Sequence, residues 1–138
     1  MRVLIAFDKF KDSLTAPAAC DIAARALRET HPDWELDLCP LADGGEGFCE
    51  ILTHAVGGKI ETHIVTGPRG ARTPATLGLV PLEKIPVPAR ALLAIENQNS
   101  PRPNPSVAVI EMASASGLAL LTPGDRDPWQ TTSIGTGE

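Results

Sequence analysis

The apolar positions of this 138-residue chain change period several times, and each change marks an element. Val3 to Phe7 is a short continuous apolar run, the pattern of a strand buried on both faces, and it stops at the polar cluster Asp8-Lys9-Phe10-Lys11-Asp12-Ser13. Thr15 can cap a helix that takes Pro17 in its first turn. Ile22, Ala23, Ala26 and Leu27 recur along that helix at helical spacing, with Asp21 and Arg25 on its outer face. His31-Pro32-Asp33 breaks it, because a residue before proline is pushed out of the helical region. Trp34, Leu36 and Leu38 then alternate with Glu35, Asp37 and Cys39 as a half-exposed strand does. A loop from Ala42 to Gly47 feeds Phe48, Ile51, Leu52, Ala55 and Val56 at helical spacing, and Gly57-Gly58 supplies a left-handed stop.

Strand, helix, strand, helix predicts an α/β fold with a parallel sheet, in which ligands gather where strands end and helices begin. Both polar loops fall there. After Gly58 the pattern changes. Ile60, Thr62 and Ile64 alternate, Gly67-Pro68-Arg69-Gly70 turns the chain, and Thr73 to Val80 returns, a hairpin over 60–80. Pro81 to Ser106 holds six of the thirteen prolines and a polar run from Glu96 to Pro105, which predicts a surface excursion with a short helix near Ala89 to Ile95. Val107 to Met112 reads as a buried strand, Ala113 to Gly117 as a small-residue loop and Thr122 to Trp129 as turns. Thr131 to Glu138 resembles a helix about to start. Its missing body and the shortage of strands are the pattern of a truncated chain.

Composition narrows the function classes. With 43% hydrophobic and 21% charged residues the chain can bury a core and should fold. A net charge of −5 with scattered Lys and Arg argues against a nucleic-acid partner. Cys20, Cys39 and Cys49 form no C-x-x-C pair, and their odd number fits a reducing cytoplasm. The amino-terminal apolar run is too short for a signal sequence or a membrane span. His31, His54 and His63 share no ligand-like interval with the cysteines, which sets a structural zinc site aside.

Four stretches carry candidate chemistry. Asp8 can act as a base toward a hydroxyl or hold magnesium, and Lys11 can neutralise a phosphate or carboxylate; the bland reading is a solvated loop with a helix cap. In Asp43-Gly44-Gly45-Glu46-Gly47 three glycines allow close backbone approach, so amides can point at an anion, and Asp43 or Glu46 would add a magnesium ligand. Glu111 with Ser114 and Ser116 leaves a strand into a loop of hydroxyls and amides, which suits a polar ligand or a capped turn. The fourth, Thr131 to Glu138 with Thr136, offers further hydroxyls and amides. No G-x-x-x-x-G-K-[S/T] loop and no nucleophile elbow occurs.

Taken in order, Asp8-Lys9-Phe10-Lys11-Asp12-Ser13-Leu14, Leu41 to Gly47, Val65-Thr66-Gly67-Pro68, Ile110 to Leu118 and Gly135-Thr136-Gly137-Glu138 resemble the glycerate kinase family of bacterial type. Phe7 stands where the family often has proline and Asp12 where it often has glycine, which alters the first loop. The resemblance implies ATP-dependent, magnesium-dependent phosphorylation of D-glycerate. It further implies a Rossmann-like or flavodoxin-like parallel-sheet domain begun by residues 1–59, and an inserted mixed α/β domain begun by residues 60–138, with an insertion loop over about 81–106. Asp8, Lys11 and Asp43 are then the expected catalytic groups, with Asp43 also a magnesium ligand. Gly44, Gly45, Glu46, Gly47, Glu111, Ser114, Ser116 and Thr136 are the expected substrate or phosphate contacts. Which aspartate is base and which metal ligand stays open. On this view the chain is an amino-terminal piece, inactive alone. The rival readings are a non-catalytic α/β domain binding magnesium or an anion, and a purely structural piece.

Overall fold

A computed structural model of the chain describes residues 1–11, 13–95 and 105–138. Strands β1 (Arg2–Ile5) and β2 (Glu35–Leu38) pair in parallel, Arg2 opposite Glu35 and Ile5 opposite Leu38. Helix α1 (Ala16–Thr30) connects them. The Thr15 hydroxyl accepts from the Ala18 amide at 3.3 Å, and Pro17 occupies the first turn, where its missing N–H costs nothing. The His31 amide donates to the Leu27 carbonyl, and its ring stacks on Trp34 with centroids 3.7 Å apart.

The core of this unit is Ile5, Cys20 and Ala24, backed by Val3, Ala23, Leu27 and Leu36. The buried stripe of α1 therefore differs from the expected one: Ala16, Ala19, Cys20 and Ala24 face inward, whereas Ile22 and Ala26 are exposed. Small side chains let the helix lie close to the sheet, and the larger Ile22 sits on its shoulder. Strand β1 is likewise not buried on both faces. Ile5 is buried and Leu4 is 65% exposed, because successive side chains point to opposite faces and α1 covers one of them.

The parallel ladder outlasts the strands. Cys39 donates to the Ile5 carbonyl and Leu41 to the Phe7 carbonyl, each at 2.8 Å, so the chain runs side by side into the two polar loops. Helix α2 (Phe48–Ala55) starts on Gly47 at φ 89° and ends before Gly57 at φ 61°, left-handed shapes that glycine adopts without strain.

Pairing then becomes antiparallel. Strands β3 (Lys59–Thr66) and β4 (Arg72–Pro81) form the expected hairpin, and β5 (Ser106–Ile110) joins the other edge of β4. Helix α3 (Val87–Leu92) begins earlier than the expected helix at Ala89, since Pro86 and Pro88 preset the helical φ at its entry. Residues 96–104, most of the expected polar run, lie outside the described residues. Strand β5 stops short of Met112 and alternates half-buried with exposed positions instead of being fully buried. The stretch expected as a small-residue loop is a short helix, α4 (Met112–Ser116). Val65, Ala75 and Ala115 make a second core, and α2 buries Cys49 and Thr53 against β4 and β5. No helix among the described residues is long and apolar enough to cross a membrane.

Where a helix start was expected the chain makes a 3-10 turn, Ile134–Gly137, followed by Glu138. The Glu138 carboxylate accepts the Thr66 amide at 2.8 Å and the Thr66 hydroxyl at 2.7 Å, and these bonds hold its carboxyl below the usual 4.5. A depressed carboxyl pKa means this clamp is complete above the usual value and is lost as pH falls through the lower folded one. An NMR titration of the Thr66 amide should therefore show its midpoint below 4.5. A midpoint at or above that value would mean the clamp is not formed.

Candidate active site

The carboxyl ends of β1 and β2 open into two loops of unusual backbone. In the first, the Asp8 carboxylate accepts its neighbour's amide, Lys9 N, at 2.7 Å, and Phe10 and Leu14 pair through a 2.9 Å backbone bond. The Ser13 amide and hydroxyl both donate to the Phe10 carbonyl, closing a tight turn that puts Lys11 at φ 43°. A lysine in the left-handed region costs about 1–2 kcal/mol, so the surrounding bonds impose this shape. In the second loop the Asp43 carboxylate accepts the Gly45 amide at 2.9 Å, Gly44 turns at φ 95° and Gly47 begins α2.

An ion pair ties the loops together: Lys9 Nζ stands 3.0 Å from Glu46 Oε2. The hydrogen bond to Glu46 raises the Lys9 pKa above its ordinary value, and the negative charges of Asp43 and Asp8 add to it. Above the loops, from the antiparallel unit, comes Glu111. It is 6% exposed, and its Oε2 accepts the Gly47 amide at 3.1 Å and the Cys49 amide at 3.0 Å. The Ser114 hydroxyl donates to the Glu111 carbonyl at 2.9 Å and accepts the Thr76 amide at 3.3 Å.

These groups surround a cavity of about 580 Å³ lined by Asp8, Lys11, Glu46, Gly47, Glu111 and Ser114 among others. Asp43, Gly44 and Gly45 stand beside this lining and are not part of it. Ser116 and Thr136 pair with each other, hydroxyl to hydroxyl, at 2.8 Å, and Thr136 lines an adjoining cavity of about 450 Å³ that shares Glu111 and Ser114. Two of the three glycine amides expected to meet an anion are engaged inside the protein, Gly45 by Asp43 and Gly47 by Glu111. Sequence reasoning missed Lys9, Glu50 and Thr76, which also line the larger cavity. For Lys9 the signal lay in charge complementarity to Glu46 across adjacent strand ends. Thr76 carries no local signal, because only the hairpin register brings β4 over the loops.

No group of three or more His, Cys, Asp or Glu among the described residues could hold a metal ion. Magnesium is ordinarily held by one or two carboxylates together with phosphate oxygens, and the hard oxygen donors Asp8 and Asp43 suit it in kind.

Comparison with known proteins gives the same direction as the loops. The model of the glycerate kinase family matches residues 3–138. A glycerate kinase of Bacillus subtilis and a glycerate 2-kinase of Escherichia coli are each 36% identical over 138 residues, all of this chain and 30% of theirs. A crystal structure of a Salmonella typhimurium LT2 protein superposes with a TM-score of 0.64 at 39% identity, over 99% of this chain and 31% of that one. The chain thus spans about 30% of the length of the curated relatives it matches. With the family model matching from the first strand through Glu138, and both loops inside the match, the chain belongs to the glycerate kinase family.

Proposed function

We propose that this chain forms one wall of a cleft in which the γ-phosphoryl group of ATP passes to a hydroxyl of D-glycerate. The observation that carries this reading is convergence on one cavity: Asp8 and Lys11 from the end of β1, Glu46 and Gly47 from the end of β2, and Glu111 and Ser114 from beyond β5. Phosphoryl transfer asks for positioning and charge neutralisation more than for covalent help, and two loops at adjacent parallel strand ends supply both.

Lys11 meets the transferring phosphoryl group or the glycerate carboxylate. Asp8 orients the attacking hydroxyl and receives its proton as the oxygen–phosphorus bond forms and the bond to the ADP oxygen breaks. Asp43 holds the second loop in shape through the Gly45 amide, which leaves its other carboxylate oxygen for a cation. Magnesium, held by Asp43 together with the nucleotide, would supply charge neutralisation at the phosphates. Lys9 is occupied with Glu46 and acts as a tie between the loops. Residues 1–59 are the beginning of a Rossmann-like domain and 60–138 the beginning of an inserted one, and the cleft lies between them. The test is ADP release by the full-length protein carrying this sequence, with ATP and D-glycerate supplied together. Turnover that requires both supports the reading. Glycerate or magnesium binding without ADP release would replace it with a non-catalytic binding domain.

A further inference from the structure

We propose that Glu111 is a positioning residue of the cleft, which holds the amino end of α2 and, through it, the Asp43–Gly47 loop. This rests on the kinase reading for its effect on turnover, but not for its effect on the loop. Helix α2 has a problem at its start: its N-cap is Gly47, which has no side chain to accept the exposed first-turn amides. The acceptor comes from 62 and 64 positions away, where one oxygen of Glu111 takes both the Cys49 and the Gly47 amides. At 6% exposure that carboxylate needs such partners, since a buried charge without them is costly.

A second lock lies beside it. The Cys49 thiol donates to the Val109 carbonyl at 3.3 Å, so two successive contacts join α2 to β5 and its exit. Glu111 is itself fixed, because Ser114 bonds its carbonyl and in turn receives the Thr76 amide from β4. The loop thus held is one that would otherwise be expensive to order, with Gly44 at φ 95° and Gly47 at φ 89°. Glu111 lines the cavity, yet its Oε2 is directed to the protein's own backbone. Its part in the reaction is to keep Asp43 and Glu46 in register with Asp8 and Lys11.

The test compares Glu111→Gln with Glu111→Ala in the full-length protein, because a glutamine carboxamide oxygen can accept the same two amides and alanine cannot. Hydrogen exchange at the Gly47 and Cys49 amides should speed up about tenfold or more in Glu111→Ala and stay within about threefold in Glu111→Gln. Turnover should follow the same order, with kcat reduced about tenfold or more in the alanine variant and the KM for glycerate within about twofold in the glutamine variant. If Glu111→Ala does not fold, Glu111→Asp, whose shorter side chain cannot reach both amides, takes its place. Unchanged exchange at the two amides overturns the proposal. So does a glutamine variant as inactive as the alanine one, which would mean that the carboxylate itself serves the substrate. If the unsubstituted protein shows no turnover, the kinase reading fails alone, and the exchange rates still decide what Glu111 holds.

Discussion

Lys11→Met is expected to lower turnover of ATP and D-glycerate by about 100-fold or more, with the fold intact. Two lysines line the larger cavity, and Lys9 is committed to Glu46 at 3.0 Å. Lys11 makes no ion pair among the described residues, which leaves it as the cation available to a phosphate or a carboxylate. Its backbone points the same way. At φ 43° it sits in a region that favours glycine, held there by the Phe10–Leu14 pairing and by the bonds of Ser13 to the Phe10 carbonyl. A strained lysine kept where glycine would fit at lower cost is explained if its ammonium group is needed. Lys11→Gly makes the sharper control: it should match or exceed the parent in thermal stability while losing turnover to the same degree as Lys11→Met. Steady-state rates and thermal melts of both variants decide it. Turnover within threefold of the parent in either variant would remove Lys11 from the chemistry.

The first half of the fold follows from local rules. Thr15 and Pro17 mark the start of α1, Gly57 marks the end of α2, and the alternation of strand and helix gives parallel pairing. What the residue pattern obscured depends on partners distant in sequence. The inward face of α1 is set by how closely a helix can approach the β1–β2 sheet, which selects Cys20 and Ala24 over Ile22. The short helix α4 arises where small residues read as loop, because serine and alanine are compatible with either state until tertiary contacts choose. In the site, Asp8, Lys11, Glu46 and Gly47 could be picked out because the loops that carry them follow apolar runs and precede helices. Their distribution of labour could not. Glycine amides that look ready for an anion are satisfied by Asp43 and by Glu111, and the second of these bonds crosses more than sixty residues of sequence. No spacing rule reports a hydrogen bond that the antiparallel unit delivers.

Gly78→Ala is expected to destabilise the fold by about 3 kcal/mol, the upper end of what overpacking a close-packed core costs. A methyl group at Gly78 would overlap Thr53 Oγ1, with Thr53 Cβ 3.1 Å away and Val109 Cβ 3.2 Å away. It is boxed between a helix and a strand. Thr53 is fully buried and β-branched, so it has little rotamer freedom with which to retreat, and α2 would have to lift from β4. Among the described residues the Thr53 hydroxyl has no hydrogen-bond partner. Thr53→Ala therefore removes the obstacle without stranding a donor or acceptor elsewhere. Urea unfolding of the two single variants and the double should then show strong coupling, the double recovering about 1–3 kcal/mol relative to the sum of the singles. Additive losses would mean that the clash is relieved by backbone movement and that α2 is not seated against Gly78. The seat matters to the site because α2 is short: its amino end carries the second loop, and its middle is held by this glycine. A helix lifted at Thr53 would draw Gly47 and Cys49 away from Glu111, so Gly78→Ala should also speed hydrogen exchange at those two amides, and Thr53→Ala in the same chain should slow it again.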